Sequence, residues 1–209
     1  METAAFAAPV SQPKSQSELH RTYTVAEYLE IEARTGERHL YLNGKIIPMA
    51  GGTLPHNRIT RNILTELETT FKVAKPAYEA FGSDQKVYLP EYNFYVYPDA
   101  VVVAEEPIMS DKFADAILNP VLIVEVLSDS TERYDRGQKF VEYRSLPSFK
   151  EYVLVRQDKP EVVSFFREKP GLWLDEEFKG LEAEVYFKSI DVRLALSLVY
   201  RKVEFAQTA

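Results

Sequence analysis

A continuous apolar run near the middle of the chain contains one acidic residue. Residues 120–127 have the sequence Pro-Val-Leu-Ile-Val-Glu-Val-Leu, in which Glu125 is the only charged side chain. Continuous apolar runs of this length are typical of strands that are buried on both faces, usually beneath helices. The pattern therefore predicts a central strand that carries a carboxylate into the interior of the fold.

Two helices and a hairpin are predicted before this strand. Thr24-Val-Ala-Glu27 has the spacing of a capping box, and Gly36 suits the end of the helix that it starts. Asn43-Gly44 lies between apolar residues and predicts a two-residue hairpin turn, because both residues tolerate positive φ angles. A second helix, which ends at Pro76, is predicted from apolar residues spaced four apart: Ile59, Ile63, Leu67 and Phe71.

Strands and one longer helix are predicted for most of the remaining chain. Apolar and alternating stretches predict strands at 86–89, 93–97, 100–103 and 183–187, and a hairpin at 150–155 and 161–166. Ser128-Asp-Ser-Thr131 offers N-caps for a helix that reaches about Ser145. Asp191 is the predicted cap of a last helix, which begins at Val192.

The mixture of helices and strands, with no internal repeat, predicts one α/β domain over residues 22–209. The length of 209 residues and the hydrophobic content of 45% are sufficient for one core of ordinary size. Residues 1–21 are rich in Ala, Pro, Ser and Gln and have no apolar period, so we expect them to form a mobile tail.

Composition disfavours several kinds of site and partner. The chain has no cysteine, which excludes disulfides, thiolate nucleophiles and cysteine zinc sites, and its three histidines are too few to favour a histidine-rich zinc site. The net charge of −7 disfavours tight non-specific binding to nucleic acid, although a locally positive groove is compatible with it. No apolar stretch approaches the roughly 18 residues of a membrane span and no secretory signal is present, so we expect a cytoplasmic protein without a membrane partner.

Two acidic residues are the leading candidates for chemistry. A buried, unpaired carboxylate is costly, so Glu125 must be protonated, pair with a cation or line a cleft. A structural ion pair and a metal ligand are the two open interpretations of Glu125, and we favour the metal ligand. Asp99 follows Pro98 at the start of a predicted strand, a position compatible with a site residue and with a solvated turn aspartate.

The helix predicted after Glu125 carries a polar stripe. Asp135, Lys139 and Tyr143 are spaced four apart and share one helical face. Spacing alone favours a solvated Asp–Lys pair; the alternative is that the stripe faces the sheet and directs the Lys139 ammonium at the carboxylates. His56, near the start of the second helix, is by position more typical of a surface or capping residue than of a catalytic one.

Together these residues suit metal-assisted hydrolysis. Two acids on neighbouring strands can chelate Mg²⁺, which prefers oxygen ligands and keeps several waters. A bound metal can polarise a phosphoryl oxygen and activate a water, while a lysine can stabilise developing negative charge. The chain has no phosphate-binding Gly-rich loop, no Gly-x-Ser-x-Gly elbow and no dinucleotide fingerprint, which disfavours the chemistries that depend on them.

Five short segments, in chain order, carry a family resemblance. They are Asn43–Met49, His56–Ile59, Tyr97–Val103, Val124–Thr131 and Asp135–Tyr143. Together they resemble the Uma-type family of bacterial restriction-endonuclease-like proteins, which belongs to the PD-(D/E)XK nuclease superfamily, over most of the chain from about residue 23 to 166. The resemblance implies a restriction-endonuclease-like α/β fold, in which helices flank a mixed central β-sheet with an acidic metal site at its edge.

The resemblance also implies an activity and a metal site. Asp99 matches the superfamily's aspartate and Glu125 its second acid, so both would be metal ligands together with the backbone carbonyl of Val126. The implied function is a Mg²⁺-dependent endonuclease, with Mn²⁺ as an alternative cation, that hydrolyses phosphodiester bonds in nucleic acid, with DNA as the expected substrate. A homodimer is expected on the same ground.

The lysine of the superfamily is displaced in this chain. It normally lies two residues after the second acid, where this chain has Leu127, and Lys139 on the next helix is its counterpart in the family. In the leading hypothesis, Asp135 and Tyr143 would orient Lys139, and His56 would line the cleft.

One departure from the family pattern leaves other functions open. The family usually has a glutamate four residues before the hairpin glycine, and this chain has Leu40 at that position. The residue after that glycine, which is often acidic in the family, is Lys45 here. Glu37 lies nearby in sequence. A catalytically weakened binding or assembly module is therefore the alternative to an active nuclease. A third interpretation makes Glu125 and Lys139 a buried structural pair.

Overall fold

The computed structural model describes residues 21–49, 51–111, 113–128 and 131–205. The predicted mobile tail, residues 1–21, lies outside the described residues except for Arg21. Five helices and fourteen strands are assigned in the described part of the chain: α1 (Val25–Thr35), β1 (His39–Leu42), β2 (Lys45–Pro48), α2 (Leu54–Ala74), β3 (Tyr78–Gly82), β4 (Lys86–Leu89), β5 (Phe94–Val96), β6 (Ala100–Ala104), β7 (Met109–Ser110), β8 (Phe113–Ile117), β9 (Pro120–Leu127), α3 (Glu132–Arg136), α4 (Gln138–Tyr143), β10 (Glu151–Arg156), β11 (Glu161–Lys169), β12 (Leu172–Lys179), β13 (Glu184–Phe187), β14 (Val192–Ala195) and α5 (Leu196–Val199).

The central sheet is mixed, as expected. Its strand order is β12-β11-β10-β9-β6-β3, in which β9 and β10 are parallel and the other neighbours are antiparallel. A second six-stranded sheet has the order β2-β1-β5-β4-β8-β7, and β13 and β14 form a separate hairpin. The α/β fold with a mixed central sheet flanked by helices is therefore confirmed.

Strand β9 is buried on both faces and separates two apolar clusters. Leu122, Val124 and Val126 pack with the apolar face of α2. Ile123 and Leu127, which alternate with them, pack with the residues around α4 and with the second sheet. Because side chains alternate along a strand, Glu125 lies on the face that α4 covers.

Local signals predicted the first elements correctly. Thr24 Oγ1 accepts a hydrogen bond from the Glu27 backbone N–H, and the Glu27 carboxylate accepts one from the Thr24 N–H, which completes the capping box of α1. Asn43 and Gly44 have φ angles of 46° and 94°, as a two-residue hairpin turn between β1 and β2 requires. Helix α2 buries the four predicted apolar residues on one face.

Two predictions about helices were wrong. The helix expected from Thr131 to about Ser145 is divided at Gly137, whose φ and ψ of −115° and −94° end α3 and begin α4. The helix expected from Val192 is a strand over Val192–Ala195, followed by the short α5. Val192 and Leu194 are buried while Arg193 is exposed, so the period is two, and pairing with β13 supplies the backbone hydrogen bonds.

Strands β3, β7, β8 and β12 were not predicted. No residue of strand β12 is fully buried and its apolar residues do not alternate with polar ones, so pairing with β11 rather than a burial pattern places it in the sheet. In the described part of the chain, no helix combines the length and apolar character needed to cross a bilayer.

Candidate active site

Asp99 and Glu125 lie opposite each other at one end of the central sheet. Ala100 at the start of β6 pairs with Val124 on β9 in antiparallel register. Continuing that register by one residue places Asp99 directly across from Glu125. Directly opposed residues of antiparallel strands have Cβ atoms about 5 Å apart and side chains on the same face. Strand pairing thus brings the two predicted acids together.

Asp99 is fixed by two hydrogen bonds to one carboxylate oxygen. The Val126 backbone N–H donates to Asp99 Oδ2 at 2.7 Å, and His56 Nε2 lies 3.1 Å from the same atom. The Asp99 side chain is 15% exposed, so it is not a solvated turn aspartate. The carbonyl of Val126 as a metal ligand stays a prediction.

His56 lies in the first turn of α2, where its backbone N–H donates to Thr53 Oγ1. Its ring Nδ1 is buried and has no hydrogen-bond partner among the described residues. Burial opposes protonation of the ring, but the hydrogen bond to Asp99 and the charges of Asp99 and Glu125 outweigh it and raise the pKa of His56. The raised pKa therefore favours a protonated ring beside Asp99.

Glu125 is buried and bonded through one oxygen. Lys139 Nζ lies 2.7 Å from Glu125 Oε1, and the Tyr143 hydroxyl donates to the same oxygen at 2.9 Å. Lys139 Nζ also donates to Asp135 Oδ1 at 3.1 Å. The residues of the polar stripe are at most 7% exposed, so the stripe faces the sheet although the helix is divided at Gly137.

Burial and neighbouring charges shift the pKa values of Glu125 and Lys139. Burial raises the pKa of Glu125 to about 8, against the opposing attraction of Lys139. Burial would lower the pKa of Lys139, but the carboxylates of Glu125 and Asp135 raise it above its ordinary value. Lys139 therefore keeps its charge at neutral pH, and burial makes Glu125 easier to protonate than an ordinary glutamate.

We expect the Glu125→Gln variant to gain stability relative to the wild type as pH rises from about 4.5 to about 8. The folded wild type keeps a proton on Glu125 that the unfolded chain releases in this window, since the pKa rises from 4.5 to about 8 on folding. Its free energy of unfolding therefore falls with pH by up to about 1.4 kcal/mol per unit, whereas glutamine cannot titrate. Urea denaturation of both proteins across the window measures the difference. A difference that does not change with pH would contradict the perturbed pKa.

The carboxylates leave oxygens available for a cation. Among the described residues, hydrogen bonds reach only Asp99 Oδ2 and Glu125 Oε1, which leaves Asp99 Oδ1 and Glu125 Oε2 without a donor. In the same part of the chain, no three or more His, Asp or Glu side chains are grouped so that they could hold a metal. The two carboxylate oxygens without a donor are the kind of ligand that a hard cation which keeps its waters, such as Mg²⁺, prefers.

An apolar residue occupies the position of the missing family acid. Leu40 on β1 packs against the cluster that contains Leu127 and Tyr143. Lys45 and Glu37 are both exposed, so neither is buried beside the carboxylates. At the position where the family has an acid, this chain therefore has an apolar side chain that packs near the site.

Sequence reasoning missed two tyrosines that support the site. The hydroxyl of Tyr152 on β10 donates to the Asp135 carbonyl at 3.1 Å. The hydroxyl of Tyr97, two residues before Asp99, donates to the Glu32 carboxylate at 2.9 Å. These partners lie 17 and 65 residues apart in the chain, so no local pattern could have indicated them.

Comparison with known proteins identifies the family of this chain. The family model described as "Uma2: Putative restriction endonuclease" matches residues 25–197. The chain is similar to two uncharacterized proteins of Synechocystis: sll1609, 38% identical over 81% of this chain and 94% of that protein, and slr1290, 33% identical over 86% of this chain and 92% of that protein.

A solved structure has the same fold. The crystal structure of a "putative nuclease belonging to DUF820" from Anabaena variabilis superimposes with a TM-score of 0.67 over 85% of this chain and 97% of that one, at 17% identity. This similarity concerns the fold alone, whereas the family model covers both strands that carry the acids and the helix that carries Lys139. The chain belongs to the Uma2 family.

Proposed function

We propose that this protein is a metal-dependent endonuclease that hydrolyses phosphodiester bonds in DNA. One observation carries the proposal: Asp99 and Glu125 face each other at the end of the central sheet, with Lys139 Nζ 2.7 Å from Glu125. Membership of a family described as restriction endonucleases, and a fold shared with a protein called a nuclease, support the same reaction class. The specific cation and the choice of DNA are parts of the proposal.

Asp99, Glu125 and the carbonyl of Val126 are the groups that would hold Mg²⁺ or Mn²⁺. A divalent cation bound there would supply Lewis-acid polarisation of a phosphoryl oxygen and lower the pKa of a bound water. Glu125 would release its proton when a cation binds, since a nearby positive charge favours the ionised carboxylate. The hydrogen bonds from Val126 and His56 hold Asp99 Oδ2 and so orient its other oxygen.

Lys139 is the group that would act on the reacting atoms. Its ammonium is charged and buried beside Glu125, so it can orient an attacking water or stabilise negative charge that develops on the phosphate. Asp135 and Tyr143 act through their neighbours: Asp135 accepts from Lys139, and Tyr143 donates to the Glu125 oxygen that Lys139 contacts. His56 would line the cleft beside Asp99.

Mn²⁺ or Mg²⁺ is expected to stabilise the protein and to switch on cleavage of plasmid DNA. A ligand that binds only the folded state at a concentration of about 100 Kd adds about 2.7 kcal/mol, which raises the melting temperature by roughly 5–10 °C for a chain of this size. Thermal unfolding and plasmid nicking are measured on the same sample, with EDTA and Ca²⁺ as comparisons. In Asp99→Ala the shift should disappear, and a shift that persists there would place the cation elsewhere.

A second candidate is a binding or assembly module with the nuclease fold, which Leu40 at the position of the family acid favours. Metal that neither stabilises the wild type nor supports cleavage would select this candidate. The homodimer and the single domain over residues 22–209 stay predictions.

A further inference from the structure

A groove with two arginines lies on the outer side of α4. It has a volume of about 320 Å³ and opens between the C-terminal end of α4, the β4–β5 turn and the β11–β12 hairpin. We call it the Arg–Trp groove and define it by six lining residues: Glu91, Tyr92, Val141, Arg144, Arg167 and Trp173. Val141 and Arg144 are exposed, whereas Lys139 and Tyr143 of the candidate active site are buried on the other side of the same helix.

The two guanidinium groups are held against one indole ring. The Cζ atoms of Arg167 and Arg144 lie 5.1 and 5.8 Å from the centroid of the Trp173 ring. Phe140 meets the same ring edge-on at 5.0 Å and fixes it from within the apolar cluster. A guanidinium held against an aromatic ring is already positioned, so less side-chain entropy is lost when it binds a phosphate.

Neither arginine has a carboxylate partner among the described residues, although Glu91 lies at the rim of the groove. Arg167 donates to the backbone carbonyls of Arg144 and Pro147 at 2.9 and 3.2 Å, while its buried Nε has no partner. Burial and the neighbouring charge of Arg144 lower the pKa of Arg167. Two adjacent unpaired cations are what a bound anion would neutralise, and they form a locally positive site on a chain whose net charge is −7.

Aromatic rings complete the groove. Tyr92 is half-buried, packs against Phe94 with ring centroids 5.6 Å apart and lines the groove together with Trp173. Arginine beside aromatic rings is the combination that binds single-stranded nucleic acid, because bases stack on rings and phosphates bind guanidinium groups.

We propose that the Arg–Trp groove binds one nucleotide unit of a single-stranded nucleic acid, with the phosphate on Arg144 and Arg167 and the base against Tyr92. The choice of a nucleic acid over other phosphate esters rests on the proposed nuclease function. The groove lies outside the candidate active site, so it would hold a segment that flanks the scissile bond.

Trp173 is the only tryptophan in the sequence, so its fluorescence reports directly on this groove. Full-length protein in EDTA is titrated with a short oligothymidylate, with thymidine monophosphate and with inorganic phosphate. We expect the oligonucleotide to quench Trp173 at the lowest concentration. Inorganic phosphate that quenches equally well at the same concentration would overturn the assignment to a nucleotide.

Arg144→Ala should weaken oligonucleotide binding about tenfold, as expected for the loss of one charge-assisted contact, and should lower the salt slope by about one. Arg144 is exposed and its side chain donates no hydrogen bond among the described residues, so the variant should fold. Arg34→Ala, which removes an exposed arginine of α1 outside the groove, should bind as the wild type does. Arg144→Ala binding within twofold of the wild type would overturn the proposal.

Cleavage and binding measured on the same proteins, with Asp99 intact, separate the two proposals. Binding that depends on Arg144 in a wild-type protein that cleaves nothing with Mn²⁺ would support the groove and overturn the nuclease alone. Full cleavage by Arg144→Ala with unchanged binding would overturn the groove alone.

Discussion

Asp99→Ala and Glu125→Ala are each expected to abolish metal-dependent DNA cleavage, with kcat lowered by about a thousandfold or more, while the domain stays folded. Each substitution removes one of the two facing carboxylates, so a bound cation would lose a ligand and the Lewis-acid polarisation that it would supply to the scissile phosphate. Single-turnover cleavage of a labelled duplex with saturating Mn²⁺ measures the loss. Cleavage at a tenth of the wild-type rate or faster in both variants would remove this mechanism.

The folding cost of these substitutions should be modest. Asp99→Ala leaves the Val126 N–H and His56 without their acceptor, which costs about 1–3 kcal/mol. Glu125→Ala removes a buried acid whose pKa is raised by burial, although it also takes a partner from Lys139. Circular dichroism and urea denaturation check that both variants are folded under assay conditions.

Glu151 offers a matched control on the neighbouring strand. It is also a buried acid, but its carboxylate accepts from Ser164 Oγ and from the backbone N–H groups of Lys188 and Ser189. These donors satisfy it without a cation, so we interpret Glu151 as structural. Glu151→Gln should therefore lose stability but keep the cleavage rate per folded molecule.

Lys139→Met is expected to lower kcat by about a hundredfold to a thousandfold while Mn²⁺ affinity is kept. The substitution retains the length and apolar stem of the side chain but removes the ammonium 2.7 Å from Glu125, and the loss of one group that stabilises transition-state charge has an effect of this size. Calorimetric Mn²⁺ titration and single-turnover kinetics separate binding from chemistry, and KM should change little.

Stability has to be controlled in this variant as well, because removing one partner of a buried ion pair can cost about 3–5 kcal/mol. The double variant Lys139→Met with Glu125→Gln should recover most of that cost, because it removes both charges. If Lys139→Met cleaves at the wild-type rate, the Glu125–Lys139 contact is a structural pair and Lys139 has no role in the chemistry.

The elements that were predicted correctly are those whose causes lie within a few residues of chain. The capping box at Thr24, the Asn43-Gly44 turn and the apolar face of α2 depend on neighbours at fixed short spacing, and the structure contains all three. The strand at Val192 shows the limit of such signals. Its four residues could follow a capping aspartate as a helix, and only pairing with β13, earlier in the chain, makes them a strand.

The candidate site could also be predicted from the sequence only in part. Within the sequence, an acid inside a run of valine, leucine and isoleucine is a local anomaly, and the expense of burying it identified Glu125 without any structure. The stripe of Asp135, Lys139 and Tyr143 was visible as a spacing, but spacing favoured solvent over the sheet. Burial of that stripe depends on how α4 packs on the central sheet, which residues within the helix do not specify.

The short-range elements and the presence of a costly buried acid can be read from the amino-acid sequence, because both follow from the chemistry of neighbouring residues. The surroundings of that acid depend on how distant parts of the chain pack together. Antiparallel pairing placed Asp99 opposite Glu125, and α4, beyond the division at Gly137, supplied Lys139. These contacts join residues that are 14 positions apart in the chain for Lys139 and Glu125 and 43 positions apart for His56 and Asp99. They form because strand register and helix packing are set by the burial of the whole apolar core, to which every element contributes at once.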